Sequence, residues 1–197
     1  MYGQLDGSSS LQPGASTFVG GYSARGVSVP ERRVPLAVRD LLAPLPAQSP
    51  APPSPSPTQG GIASEILNHV NAHRASGATC GGAARPAVGP LTLHPALNAA
   101  AERHAVDMAT RDYFNHTGHD GSSPFDRIDD AGFSGSPQGE NIAAGYATAA
   151  DVVAGWMGST GHCNNIMNGN FVYMGGALSF NAGSTYGNYW VQTFGGN

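Results

Sequence analysis

Apolar residues recur at every fourth position over Ile62, Ile66 and Val70, which predicts an amphipathic helix over residues 61–76, closed by Gly77. Leu97, Ala101, His104 and Met108 form a second stripe, and Pro95 opens it at a first helical position. Ser123-Pro124 followed by Asp126 reads as an N-cap, a first-turn proline and a capping acid, with Gly132 ending that short helix. Thr148-x-x-Asp151 is a capping box ahead of Val152, Val153 and Trp156. Beyond Asn168 the pattern changes. Residues 172–180 and 189–194 are predicted strands, joined by the Gly/Asn/Ser loop 181–188. Helices first and an antiparallel hairpin last predict α+β layering rather than a parallel sheet.

Composition divides the 197-residue chain near residue 60. Residues 1–60 hold ten of the 15 prolines, whereas residues 61–197 hold all seven histidines, both cysteines and both tryptophans. The first segment therefore reads as a long, extended, Pro-rich N-terminal arm, with a semi-rigid polyproline spacer over residues 43–60. Its plain reading is a solvated tail. The sharper one is an arm that orders on a protein partner, prompted by Leu41, Leu42, Arg32 and Arg33. Residues 61–197 suffice for one compact domain that buries roughly 68% of its unfolded surface.

Charge and residue usage narrow the chemistry. The chain has no lysine, which excludes a Walker A phosphate loop, a pyridoxal Schiff base and a lysine nucleophile. A net charge of −4 argues against nucleic acid as a partner, because neutralising phosphates needs a basic face. No apolar run is long enough for a transmembrane segment. The N-terminus lacks the charged start, apolar core and cleavage site of a signal peptide, so a mature or trimmed form, or an intracellular protein, is expected. Two cysteines suffice for one bridge and are too few for a zinc finger.

Histidine is the informative residue. His116, His119 and His162 sit between Gly, Asn and Thr residues and are read as loop positions. Glu140, one of four glutamates, lies in the Gly-rich stretch Gly139-Glu140-Asn141. Two imidazoles and a carboxylate brought together by folding would supply a general base or a metal site. His104 is read as a packing residue on its helix, Trp156 and Trp190 as core aromatics with bonded N–H groups, and residues 126–130 as a solvated helix face.

Six motifs occur in order: His104-Ala-x-Asp-Met-Ala, Phe114-x-His116-Thr, Gly121-Ser-Ser-Pro-Phe-Asp-Arg-Ile, Gly139-Glu-Asn-Ile-Ala, Val153-x-x-Trp156-x-x-Ser159-x-Gly161-His162-x-x-Asn165-Ile-Met-Asn, and Tyr189-Trp-Val-Gln. Over about residues 62–194 the chain resembles the CAP superfamily of cysteine-rich secretory, antigen-five and pathogenesis-related proteins, in particular its compact bacterial SCP-like extracellular branch. The resemblance implies a three-layer α-β-α sandwich with a cleft holding His116, Glu140 and His162, flanked by Ser159, Asn141 and His119. Ser159 stands where the family carries a second acid. A bacterial protein in an extracytoplasmic location (secreted, periplasmic or cell-surface) is implied, and with it a Cys80–Cys163 disulfide against the alternative of two free thiols. Two expectations stand for His116, Glu140 and His162: they hold Zn²⁺ or a similar divalent ion as cofactor, or, without metal, the histidines hydrogen-bond Glu140 and order the loops. Three functions stay open: a binding module for a peptide, lipid or cell-wall ligand, an accessory subunit docked through its arm, and a metal-assisted hydrolase with Glu140 as base.

Overall fold

The computed structural model describes residues 59–197; residues 1–58 of the predicted arm lie outside them, and its last two, Gln59 and Gly60, belong to the first helix. Five helices are described: α1 (Gln59–Ser76), α2 (Pro95–Arg111), α3 (Pro124–Asp130), α4 (Ala149–Gly158) and α5 (Thr160–Ile166). A small hairpin pairs β1 (Ala78–Cys80) with β2 (Ala83–Arg85). The main sheet contains β3 (Thr92–Leu93), β4 (Pro137–Ala144), β5 (Tyr173–Phe180) and β6 (Asn188–Gly195), in the spatial order β3-β5-β6-β4. Only the short β3–β5 pair is parallel. β5–β6 is the antiparallel hairpin expected from the sequence, and β4 adds to its other side.

Helices cover both faces of this sheet, giving the α-β-α sandwich. Successive strand residues point to opposite faces, and two adjacent glycines in β5 show the consequence. A Cβ on Gly175 would collide with the backbone of α2 at Leu97 and Asn98, and one on Gly176 would meet Ile66 and Ala63 of α1 at 3.0 and 3.5 Å. The α2 face buries Ala101, Ala105 and Met108 against Ile142, Ala177 and Val191. On the opposite face Ile62, Ile66 and Val70 of α1 join Val152, Val153 and Trp156 of α4, Ile166 of α5, and Met174 and Trp190.

The predicted caps form. Ser123 and Asp126 exchange both bonds of a capping box, whereas at Thr148 only half of the predicted box forms: its hydroxyl accepts from the Asp151 N–H and donates to the Asp151 carboxylate. Trp156 donates its indole N–H to the carbonyl of Ile142 and Trp190 to that of Tyr146. The first helix starts two residues early because the Gln59 side-chain amide pairs with both backbone groups of Leu178.

Two stretches without a predicted element are regular structure. Gly139-Glu140-Asn141 belongs to β4, whose strand signal is hidden because both faces of the strand are covered and two of its buried positions carry polar side chains. His162 lies on α5, whose sequence Thr160-Gly-His-Cys-Asn-Asn-Ile166 has little intrinsic helix propensity. Burial of Cys163 and Ile166 and the Cys80–Cys163 disulfide, with Cα atoms 5.5 Å apart, hold that turn in place against β1.

Candidate functional site

His104 lies on α2 and His116 in the loop after it, while Glu140 projects from β4 and Arg127 from α3. The chain leaves α2 through Asp112, the one non-glycine residue with positive φ among those described (φ 53°). Its carboxylate accepts from the Thr185 N–H and hydroxyl and from the Tyr189 hydroxyl, which ties the loop between β5 and β6 to the end of α2. Positive φ suits Asp better than most side chains. The turn directs residues 113–116 back across the sheet toward β4.

Glu140 is the centre of the arrangement. It pairs in register with Thr193, whose hydroxyl donates to Leu97 of α2, so both side chains face the α2 layer. His116 donates its Nδ1–H to Glu140 Oε1 at 2.9 Å, and Arg127 donates Nη2–H to Oε2 at 2.8 Å. Arg127 also donates to the carbonyl of His116 at 3.0 Å and to that of Ser122 at 2.9 Å. The Glu140 and Arg127 side chains are 1% and 2% exposed, but that of His116 is 44% exposed. A carboxylate that accepts at Nδ1 fixes the imidazole so that Nε2 is its free acceptor, toward solvent. The arrangement is a buried ion pair holding one exposed imidazole.

His104, read as a packing residue, is fully buried and does pack, but it also reaches the same carboxylate. Its Nε2–H donates to the carbonyl of Asn115 at 2.9 Å and stands 3.9 Å from Glu140 Oε1, while Nδ1 is buried without a partner.

Asn141, adjacent to Glu140, points to the other face. Its amide donates to the carbonyl of His162 and to Gln192, and it accepts from Asn165. His162 thus belongs to the α1/α4/α5 layer. Its ring enters no hydrogen bond or ion pair among the described residues. Burial, and behind it the charge of His116, holds its pKa below the ordinary imidazole range. Ser159 ends α4 and starts α5 with no side-chain capping bond. His119 is exposed, its ring stands against Tyr113, and its backbone N–H donates to Asp107.

The donor set bears on the expected ion. Both oxygens of Glu140 are engaged, one of them by a guanidinium, and a divalent cation there would face that positive charge at close range. Among the described residues no three His, Cys, Asp or Glu side chains form a ligand group. As they stand, these side chains do not fit a shared three-ligand Zn²⁺ site.

Arg127 was hidden in the sequence by its company. Asp126, Asp129 and Asp130 are exposed as expected, whereas Arg127 and Ile128 between them are buried. Two consecutive buried positions on a seven-residue helix give no period to read.

Stability should depend on pH through His104. Burial lowers its folded pKa below the unfolded value near ~6.5. The unfolded chain then binds more protons below that value, so stability rises with pH and levels off above ~6.5. It is lost as pH falls from there toward the folded pKa. Urea titrations between about pH 5 and 8 should show this slope, and His104→Gln should reduce it, leaving the share that comes from buried His162.

The sequence pattern of the CAP family, described as the cysteine-rich secretory protein family, matches residues 67–194. The uncharacterised protein YkwD of Bacillus subtilis is 37% identical over 105 residues, covering 53% of this chain and 39% of the relative. The chain therefore spans about two fifths of that relative. An extracellular SCP-domain protein from Bacillus anthracis superposes with a TM-score of 0.58 at 23% identity, over 71% of this chain and 41% of the other. An outer surface protein from Borrelia burgdorferi superposes with a TM-score of 0.52 at 20% identity, over 68% of this chain and 88% of the other. Both likenesses speak to the fold.

Proposed function

Since the chain belongs to the CAP, or cysteine-rich secretory protein, family, we propose that this domain is an extracytoplasmic binding module whose ligand is grasped at His116. One observation carries the reading. A buried Arg127–Glu140 pair costs desolvation that packed apolar residues would avoid, and here it orients an imidazole that is 44% exposed. The neighbourhood supports it. Phe114 and Tyr186 stand 43% and 51% exposed with ring centroids 6.0 Å apart, and Phe114 lies two residues along the chain from His116. Arg127 and Ser122 also line an open cavity of about 280 Å³ with Arg103 and Arg111. Exposed aromatic faces and exposed hydrogen-bonding groups suit a peptide or a cell-wall glycopeptide better than a lipid chain, which needs an enclosed apolar cavity.

The location is part of the proposal and rests on the extracellular and outer-surface relatives and on the disulfide. Among the described residues no helix is long and apolar enough to cross a membrane.

A hydrolytic reading draws on the same geometry, because a carboxylate-oriented imidazole with Nε2 free is also a general base. Co-sedimentation with purified cell-wall sacculi and, in parallel, with lipid vesicles separates the cases. The full chain should be retained on sacculi and not on vesicles, and His116→Ala should release it while circular dichroism shows that the variant stays folded. Retention unaffected by His116→Ala would overturn the binding site. Soluble fragments released by the wild type alone would favour hydrolysis.

A further inference from the structure

Glu65, His69 and His73 follow one another at intervals of four along α1, each one position before a member of the buried row Ile66, Val70 and Arg74. At that spacing side chains are neighbours on one helix face. Glu65 and His69 are exposed, His73 is half-buried, and neither imidazole enters a hydrogen bond or ion pair among the described residues. We propose that His69 and His73 form a two-imidazole site for a borderline divalent cation such as Zn²⁺, Ni²⁺ or Cu²⁺, on the opposite side of the sheet from Glu140.

The helix is held rigid where the site sits. Arg74 donates to the carbonyls of Gly89, Ile166, Asn168 and Phe171, and Asn71 exchanges two bonds with Leu91. The backbone between the two imidazoles is therefore fixed, and binding has to order only side-chain rotamers. Two histidines four apart on a helix are a recurrent zinc-holding pair, and neutral imidazole suits these three ions. His73 lies in the last turn of α1, where the negative end of the helix dipole favours a cation. Glu65 adds negative charge one turn further back. No third side chain completes a ligand group among the described residues. Water therefore fills the remaining positions, which stay open to an outside ligand.

The test is calorimetric titration of the full-length chain with Zn²⁺ and Ni²⁺, with circular dichroism checking that each variant is folded. One ion per chain is expected, and His69→Ala or His73→Ala should each weaken binding by about tenfold or more. His116→Ala should leave it unchanged. Binding that persists in His69→Ala, or that vanishes in His116→Ala instead, would overturn the proposal. Because the reading of the His116 cleft is tested on sacculi, failure of either experiment leaves the other standing.

Discussion

Replacing Arg127 by alanine should lower the unfolding free energy by about 3–5 kcal/mol, the loss that follows when one partner of a buried ion pair is removed. The guanidinium is 2% exposed and gives hydrogen bonds to Glu140, to the carbonyl of His116 and to the carbonyl of Ser122. Its removal leaves the Glu140 carboxylate, 1% exposed, with His116 as its only hydrogen-bonding side chain among the described residues. Most of the penalty is the stranded charge rather than the lost bonds. Glu140→Gln in the Arg127→Ala background should therefore recover part of the stability. Urea unfolding of the two single variants and the double variant measures this directly. If the double variant is less stable than Arg127→Ala by the full cost of Glu140→Gln alone, the two side chains are not coupled.

Reducing the Cys80–Cys163 disulfide should cost about 4 kcal/mol in the chain-entropy model, because it releases a loop with a sequence separation of 83 residues in the unfolded chain. For a domain of this size that corresponds to roughly 10–20 °C in melting temperature. The local consequence falls on α5. Without its tether to β1, this seven-residue helix keeps the burial of Cys163 and Ile166 and the side-chain bonds from Asn141 and Arg74, but loses its covalent restraint, so the amides around His162 should lose hydrogen-exchange protection before the sheet does. Cys163→Ser and chemical reduction should agree. Equal melting of reduced and oxidised protein would show that the bridge does not restrain the unfolded chain.

How far the fold was legible depended on whether a residue's environment followed a period. The stripe Ile62, Ile66, Val70, the caps at Ser123 and Thr148 and the β5–β6 hairpin were readable because each has one buried side or a local hydrogen-bonding rule. Arg74 was not singled out, although it continues that first stripe at the same spacing. A charged residue on a buried row is intelligible only once four carbonyls are seen to converge on it. Strand β4 and helix α5 were hidden for related reasons, one being covered on both faces and the other held by a distant cysteine.

For the site, the sequence by itself determined the residue types and their order: His116, Glu140 and His162, with Ser159 where the family carries a second acid. Tertiary structure decided who touches whom. It set Arg127 and His104 against Glu140, and it turned Asn141 toward the carbonyl of His162 on the other side of the sheet. The reason lies in the strand itself. Alternation sends neighbouring side chains to opposite layers, so residues adjacent in sequence serve different faces, and a buried charge finds its partner only when another helix is packed on top of it.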